Sequence, residues 1–198
     1  MICLVCNKPS INGLTHPGCV GKYTIDGAFA AISYKGVAKK LIYSFKYKPY
    51  LSDLKNSLVD LFYESLIQNE VFMQTIEQFN NGTMVLVPIP LHKKRLKNRG
   101  YNHAQILAEG LSERLNLKVL NVLERVKETK SQFGLNLEKR KENIAGAFSL
   151  APNIPVSQYP SIFLVDDILT TGSTLLEAAR VLKRSGARRV WALALARD

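Results

Sequence analysis

The sequence has no cysteine beyond residue 19, few acidic residues and no long apolar run. Because the three cysteines all precede that point, a disulfide scaffold is excluded for most of the chain. No uninterrupted apolar stretch approaches the roughly 20 residues that a bilayer-spanning helix needs. No basic segment followed by an apolar one comes after Met1, and no repeat or low-complexity tract is present. We therefore expect a soluble, cytoplasmic protein that does not insert into a membrane.

The shortage of acidic residues gives the chain a strongly positive charge. Its 198 residues include 27 lysines and arginines against 16 aspartates and glutamates, a formal net charge of +11. Such a charge favours polyanionic partners, either nucleic acid or phosphorylated substrates. With 46% hydrophobic residues the chain can bury a core, and its length suits one α/β domain with a small appendage.

The cysteines form part of two short-spaced pairs of metal ligands. Cys3 and Cys6 have C-x2-C spacing, and His16 and Cys19 have H-x2-C spacing. Two such pairs suit tetrahedral Zn²⁺, because each pair can occupy one edge of the tetrahedron. We predict a structural zinc ion on these four residues, in a knuckle segment formed by residues 1–24. The alternative is three ordinary thiols and a surface histidine.

One stretch near the end of the chain combines a buried strand, two carboxylates and a hydroxyl-rich turn. The apolar run from Ile162 to Val165 predicts a strand buried on both faces of a parallel sheet, with Asp166 and Asp167 where it ends. A helix follows the turn. The capping-box spacing of Thr174 and Glu177 predicts that it begins at the end of the turn.

This strand, turn and helix together predict an anion site. Backbone N–H groups and the positive end of the helix point at the turn. Hydroxyl donors surround it, from Thr170, Thr171, Ser173 and Thr174. The two carboxylates accept hydrogen bonds only, so they suit sugar hydroxyls or a hydrated Mg²⁺. A phosphate cradle beside two carboxylates fits a ribose 5-phosphate. The alternative is a structural turn whose acids cap the helix or form salt bridges.

The other apolar patterns predict the rest of an α/β fold. Strands are predicted at residues 28–34, 84–90, 146–150 and 190–196, the last of them closing the sheet. Helices are predicted at residues 37–45, 52–67 and 104–115. Loops are predicted at residues 69–83, 125–143 and 151–160.

A basic stretch follows the strand predicted at residues 84–90. Its five cations are Lys93, Lys94, Arg95, Lys97 and Arg99. In a doubly wound sheet, ligands bind at the carboxyl ends of the strands, so this predicted loop should face the same crevice as Asp166 and Asp167. The alternatives are a plain surface loop or contacts with nucleic-acid phosphates.

Lysines and tyrosines alternate in the region of the first predicted helix. Lys39, Lys40, Lys46 and Lys48 lie among Tyr43, Tyr47 and Tyr50. Rings that stack on bases, beside a track of charge, suit single-stranded nucleic acid. The alternative is half-buried rings with a solvated basic face. Further candidates for DNA phosphates precede the last strand: Arg184, Arg188 and Arg189.

The stretch of residues 162–174 resembles the motif with which type I phosphoribosyltransferases bind phosphoribosyl pyrophosphate (PRPP). The chain as a whole resembles the ComF/GntX-like proteins, relatives of those enzymes. Besides the metal knuckle and the PRPP motif, the resemblance rests on Tyr34-Lys35-Gly36, Lys46-Tyr47, residues 87–91, Arg95, residues 99–102, Arg125, Thr129, Gln132, Arg140, Asn143 and Ala147-Phe148. The family usually has four knuckle cysteines, and His16 stands where a third would be.

The resemblance implies a phosphoribosyltransferase-type fold over residues 25–198. It also implies that Asp166 and Asp167 face the ribose hydroxyls. The residues that wrap the 5-phosphate would be Thr170, Thr171, Gly172, Ser173 and Thr174. The segment 125–143 would be the mobile loop that closes over PRPP and excludes water. In naturally transformable bacteria the family handles incoming single-stranded DNA, which implies a DNA-uptake helicase or other competence proteins as partners.

The chemistry expected from this resemblance is electrostatic. Asp166 and Asp167 would hold the ribose while Mg²⁺, Arg95 and Arg99 neutralise a departing pyrophosphate, which Lys93 and Lys94 would also contact. No histidine or serine constellation indicates a protein nucleophile. Three functions stay open: a phosphoribosyltransferase acting on a nucleobase or a nucleic-acid end, a PRPP-sensing regulator without turnover, and a single-stranded-DNA-binding module.

Overall fold

The computed structural model describes residues 1–47, 52–79, 82–129, 137–152 and 154–198. Lys48, Tyr50 and Gln132 lie outside the described residues. The elements are β1 (Gly27–Ser33), α1 (Gly36–Tyr47), α2 (Ser52–Ile67), α3 (Glu70–Phe79), β2 (Met84–Pro88), α4 (Lys93–Arg99), α5 (His103–Leu115), β3 (Lys118–Val119), β4 (Leu123–Arg125), α6 (Leu137–Ile144), β5 (Phe148–Leu150), β6 (Ser161–Leu169), α7 (Ser173–Arg184) and β7 (Arg189–Arg197).

Five strands form a parallel sheet in the order β1-β7-β6-β2-β3, which confirms the predicted α/β class. β4 and β5 form a separate antiparallel pair. The prediction that the last strand closes the sheet is wrong, because β7 lies between β1 and β6. Its residues from Val190 to Ala196 are all buried, as expected for an interior parallel strand with both faces covered.

Side chains of β6 alternate between two hydrophobic cores, one on each face of the sheet. Ile162 and Leu164 pack with the apolar stripe of α7, while Phe163 and Val165 pack with the helices of the other face, α1, α2, α3 and α5. This period of two is what a strand imposes, so an unbroken apolar run serves both cores. The helices therefore cover both faces, as predicted.

The connections of β2 and β6 leave the sheet in opposite directions. From β6 the chain passes through α7 to β7, whereas from β2 it passes through α4 and α5 to β3 on the other side. Ligands of open parallel sheets bind outside the carboxyl ends of strands at such a switch point. The topology therefore places the candidate site between β2 and β6.

Three segments predicted as loops are wholly or partly helical. The polar segment 69–83 contains α3, where Asn69 caps the first turn and the ring of Phe72 packs 5.4 Å from those of Phe29 and Phe163. The basic segment 93–99 is α4, which begins at the N-cap His92 and ends at a left-handed glycine, Gly100. Part of the loop predicted at residues 125–143 is likewise the helix α6.

The segment that contains Asp166, Asp167 and the following turn differs from its prediction in two details. β6 continues through both aspartates to Leu169, since β7 goes on pairing beside it, with Asp166 opposite Ala194. The predicted capping box does not form, because α7 begins at Ser173 after the N-cap Gly172. Glu177 instead accepts a hydrogen bond from the backbone N–H of Gly146, 2.9 Å away.

The first 24 residues pack directly onto the domain. Leu4 belongs to the core on the α7 side of the sheet, and the backbone N–H of Thr15 donates to Asp26 O just before β1. The division into a knuckle at 1–24 and a domain at 25–198 stays a prediction. Within the described ranges, no helix is both long and apolar enough to cross a bilayer.

Candidate functional site

A cleft of about 380 Å³ lies at the carboxyl ends of β2 and β6. Its lining brings together parts of the chain that are far apart in sequence. The polar side chains that line it are Tyr34, Lys39, Lys46, Arg95, Arg99, Asn102, His103, Arg125, Arg140, Asp166, Asp167, Thr170, Ser173, Thr174 and Asp198. The cleft is thus an acidic floor surrounded by cations.

Asp166 and Asp167 form the acidic floor. Asp167 Oδ2 lies 2.9 Å from Lys46 Nζ, and the two side chains are only 13% and 19% exposed. Asp166 accepts a hydrogen bond from the backbone N–H of Asp167. Burial, together with the neighbouring Asp167 carboxylate, raises the pKa of Asp166 to about 7. A cation or a hydroxyl donor brought to this pair would favour the ionised form.

His103 supports the floor from behind. Its Nδ1 lies 3.2 Å from Arg99 Nη1 and 3.9 Å from Asp167 Oδ2, and the rings of Phe45 and Tyr101 meet it edge-on. Burial lowers the pKa of His103 to about 4, against the opposing attraction of Asp167. The neutral ring can therefore accept from Arg99 without repelling the cations around it.

The anion turn, defined as residues 170–174, joins β6 to α7. Gly172 has a left-handed backbone with φ of 72°, and the hydroxyls of Thr171 and Ser173 hydrogen-bond each other at 2.9 Å. Arg140 of α6 donates to Thr170 Oγ1 at 3.1 Å. A 12-residue helix starts here, so first-turn N–H groups and the positive helix end meet at the turn. The strand, the turn and the helix start on which the predicted anion site depends are therefore present.

Two arginines that line the cleft, Arg95 and Arg125, both hydrogen-bond to Thr129. Arg95 donates to the backbone oxygen of Thr129 at 2.7 Å, and Arg125 donates to its hydroxyl. Burial and the neighbouring Arg95 lower the pKa of Arg125 to about 10, and among the described residues its buried Nε has no partner. Two adjacent guanidinium groups that both bond to Thr129 suit a polyanion.

The basic stretch forms the helix α4, so only some of its cations face the cleft. Arg95 and Arg99 are one helical turn apart, share a face and line the cleft. Lys93 and Lys94 are exposed outside the lining, and Lys94 pairs with Glu128 at 2.6 Å. The structure therefore brings the two arginines to the predicted site and leaves the two lysines away from it.

Several lining residues were not predicted from sequence chemistry. Lys46 was interpreted as a DNA contact, yet it pairs with Asp167. Only the family resemblance points to Arg125 and Arg140, and no sequence pattern considered above points to His103. The one signal near His103 is its position directly after Asn102, which caps α5 and donates to Ile89 O at the end of β2.

The four predicted zinc ligands converge. One ligand atom from each of Cys3, Cys6, His16 and Cys19 lies within 4.8 Å of all the others. His16 Nε2 is 2.9 Å from the carbonyl oxygen of Pro9, and its Nδ1 is 3.3 Å from Cys6 Sγ. A proton on Nε2 donated to that carbonyl leaves Nδ1 as the ligand atom, the usual arrangement of a metal-bound histidine. The donor set therefore fits tetrahedral Zn²⁺.

The DNA candidates fall at opposite ends of the sheet. Lys39 and Lys40 are exposed on α1, and Tyr43 one turn later is 59% exposed. Arg188 and Arg189 lie at the amino end of β7, away from the cleft, where Arg189 pairs with Asp26. Arg184 stacks on the ring of Tyr23.

We expect Gly172→Val to destabilise the protein. The left-handed backbone costs a residue with a Cβ about 1–2 kcal/mol, and that Cβ would lie 3.0 Å from Leu4 Cδ2. Chemical denaturation should therefore show a larger loss than Gly100→Val, because Gly100 also has a positive φ but nothing within 4 Å. Equal losses in the two variants would show that the Leu4 contact carries no cost.

We expect Asp166→Asn to stabilise the fold above neutral pH. Because the folded pKa of about 7 exceeds the ordinary value of 3.8, the folded state binds the proton more tightly and loses stability as pH rises between them. Asparagine removes this penalty, so the free energy of unfolding should rise by roughly 1–4 kcal/mol at about pH 8 and change little at about pH 4.5. Denaturation at both pH values measures it, with Asp60→Asn of the exposed Arg114 ion pair as control. A gain independent of pH would contradict the assignment.

Comparison with known proteins gives a consistent group. A profile of the phosphoribosyl transferase domain matches residues 67–198. Competence protein F of Haemophilus influenzae is 42% identical over 114 residues, 56% of this chain and 50% of that protein. DNA utilization protein YhgH of Escherichia coli K12 is 37% identical over 111 residues, 54% and 48% of the two chains. Competence protein ComFC of Bacillus subtilis is 37% identical over 102 residues, 52% and 39%. The chain spans about half the length of the first two relatives.

Proposed function

Because this chain belongs to the phosphoribosyltransferase family, in its ComF-like group, we propose that its cleft binds PRPP together with Mg²⁺. The observation that carries the proposal is that one cavity brings together the Asp166–Asp167 floor, the anion turn and three arginines, Arg95, Arg99 and Arg125. We call these three residues the arginine wall. PRPP has three matching parts: a ribose with free hydroxyls, a 5-phosphate and a pyrophosphate.

The ribose 5-phosphate half is assigned to the floor and the anion turn. The 5-phosphate accepts hydrogen bonds from the turn and the start of α7, where Arg140 adds a positive charge beside Thr170. The ribose hydroxyls donate to Asp166 and Asp167. In this arrangement Lys46, 2.9 Å from Asp167 Oδ2, orients that carboxylate before the ligand arrives.

The pyrophosphate half is assigned to the arginine wall. Arg95 and Arg99 project from α4 and Arg125 from β4, so the wall draws on two separate elements. In phosphoribosyl transfer the bond between ribose C1 and the pyrophosphate oxygen breaks, its electron pair leaves with pyrophosphate, and an acceptor bonds to C1. Guanidinium groups fixed at the departing oxygens stabilise that charge. Bound Mg²⁺ would supply further charge neutralisation at the pyrophosphate.

Binding in fragments tests this assignment. PRPP with Mg²⁺ should raise the melting temperature most, and ribose 5-phosphate and pyrophosphate should each raise it less. Arg95→Met should remove the response to pyrophosphate and keep that to ribose 5-phosphate, while Lys94→Met, on the same helix but outside the cleft, should change neither. No response to any of the three ligands would refute PRPP binding.

A second proposed function is the handling of single-stranded DNA during natural transformation. It is supported by the net charge of +11 and by relatives named for competence and for DNA utilization. The proposal includes a cytoplasmic location and, through the family resemblance, a DNA-uptake helicase or other competence proteins as partners.

The α1 surface is the favoured DNA contact. Lys39 and Lys40 lie there beside the exposed ring of Tyr43, which combines charge with a stacking platform. At the other end of the sheet Asp26 already neutralises Arg189 and Lys183. Lys39 also lines the cleft, so Lys40 and Tyr43 are the residues that separate DNA from PRPP binding.

We expect DNA binding with a steep salt dependence that Lys40→Glu with Tyr43→Ala reduces. Each phosphate neutralised on a single strand adds about −0.7 to the slope of log affinity against log salt. Fluorescence anisotropy with labelled oligonucleotides measures the slope, and PRPP binding should stay unchanged in the same variant. Arg184→Glu with Arg188→Glu is the matched control. A salt slope near zero would reject the DNA role.

A further inference from the structure

The anion turn lies between the cleft and the metal-binding segment of residues 1–24. Gly172 and Ser173 line the cleft, while a Cβ placed on Gly172 would lie 3.0 Å from Leu4 Cδ2 and 3.3 Å from Leu4 Cδ1. A second cavity lies beside this contact, and Val5 of the knuckle and Ser173 of the turn both line it. The side of the turn that faces away from the cleft therefore rests on the metal-binding segment.

Leu4 is held in place by its neighbours in the chain and by the core. It is 1% exposed and packs in the same cluster as Leu175 of α7. It follows the ligand Cys3 directly and precedes the ligand Cys6 by two residues. A metal ion held by the thiolates of Cys3 and Cys6 would fix the short backbone between them, and with it the position of the Leu4 side chain.

We propose that zinc in the knuckle and phosphate in the anion turn bind cooperatively, with Leu4 as the positioning residue that links them. The inference rests on the proposed function, in which the turn holds the 5-phosphate. Phosphate binding needs the N–H groups of the turn in one orientation, and the left-handed Gly172 has no side chain of its own to fix it. Leu4, fixed by the metal, limits the alternatives.

Linkage of this kind is reciprocal. If zinc raises the affinity for a phosphate ligand by some factor, the same ligand raises the affinity for zinc by an equal factor, typically about fivefold to 150-fold. The arginine wall has no part in the contact with Leu4. The linkage should therefore appear with ribose 5-phosphate and be absent with pyrophosphate.

The first experiment uses the unmodified chain. Zinc affinity is measured by competition with a chromophoric chelator, without a phosphate ligand and then with saturating ribose 5-phosphate or saturating pyrophosphate. Because pyrophosphate itself binds Zn²⁺, each titration is corrected by a protein-free titration of the chelator with the same phosphate. After this correction we expect ribose 5-phosphate to raise the zinc affinity about fivefold or more and pyrophosphate to leave it unchanged. An equal zinc affinity in all three conditions overturns the linkage.

The second experiment assigns the linkage to Leu4. Leu4→Ala should lose the fivefold effect and weaken ribose 5-phosphate binding by the same factor, while Leu4→Met should restore both. Leu66→Ala is the matched control, since Leu66 is 2% exposed but lies in the core on the other face of the sheet. If Leu4→Ala keeps the full effect, Leu4 is not the link. If Leu4→Ala does not fold, the measurement on the unmodified chain still decides whether zinc and ribose 5-phosphate bind cooperatively.

The outcomes separate the linkage from the function on which it rests. An unmodified chain that binds zinc and ribose 5-phosphate independently refutes the linkage alone. An unmodified chain that binds no ribose 5-phosphate refutes the proposed function and the linkage with it.

Discussion

Replacement of both Asp166 and Asp167 by asparagine is expected to weaken the Mg²⁺-dependent binding of PRPP strongly while the protein stays folded. Asparagine keeps the shape of the side chain but loses the charge and one acceptor oxygen. Each charged hydrogen bond lost from the ribose contacts costs about 1–3 kcal/mol, so the pair should lower the affinity by about 30-fold to 10⁴-fold. Calorimetric titration of PRPP with Mg²⁺ measures the loss.

Pyrophosphate provides the internal control for this variant. The hydrogen bonds of Arg95 and Arg125 to Thr129 do not involve the two carboxylates. Pyrophosphate binding should therefore survive the double substitution. Unchanged PRPP affinity in the double variant would show that the two aspartates are structural, with Asp167 serving only its ion pair with Lys46.

Cys6→Ser is expected to remove stoichiometric zinc from the purified protein. A structural zinc site contributes about 10–16 kcal/mol of binding free energy in small zinc-binding peptides, and a hydroxyl is a poor substitute for a thiolate. The melting temperature should therefore fall together with the metal content. Elemental analysis measures the metal, and the unmodified chain should contain about one equivalent.

His16→Ala is expected to give a milder loss than Cys6→Ser. Three thiolates remain in that variant and a water molecule can take the fourth position, as in open zinc sites. Ser10 lies inside the knuckle, donates its hydroxyl to Leu14 O and is not a ligand, so Ser10→Ala controls for local disturbance. Full zinc content in Cys6→Ser would contradict the assignment of the four ligands.

The strands could be predicted because their apolar runs are contiguous. β2, β6 and β7 are buried on both faces, so their positions follow from composition alone. The end of β6 could not be predicted, because pairing of Asp166 with Ala194 depends on how far β7 extends. The helix α3 was missed since its stability comes from Phe72 packing between Phe29 and Phe163, which is tertiary information.

The site divides in the same way. Asp166, Asp167 and the anion turn are neighbours in the chain, so the single stretch of residues 162–174 predicts them. The cations that complete the cleft come from other elements: Lys46 meets Asp167 from α1, and Arg140 meets Thr170 from α6. A lysine among tyrosines carries no sign that an aspartate far along the chain will pair with it.

A crystal structure of the protein with PRPP and Mg²⁺ tests the central proposal most directly. The account predicts the 5-phosphate in the turn of residues 170–174, the ribose hydroxyls on Asp166 and Asp167, and the pyrophosphate against Arg95, Arg99 and Arg125. PRPP bound with its pyrophosphate in the anion turn, or bound outside the cleft, would contradict it.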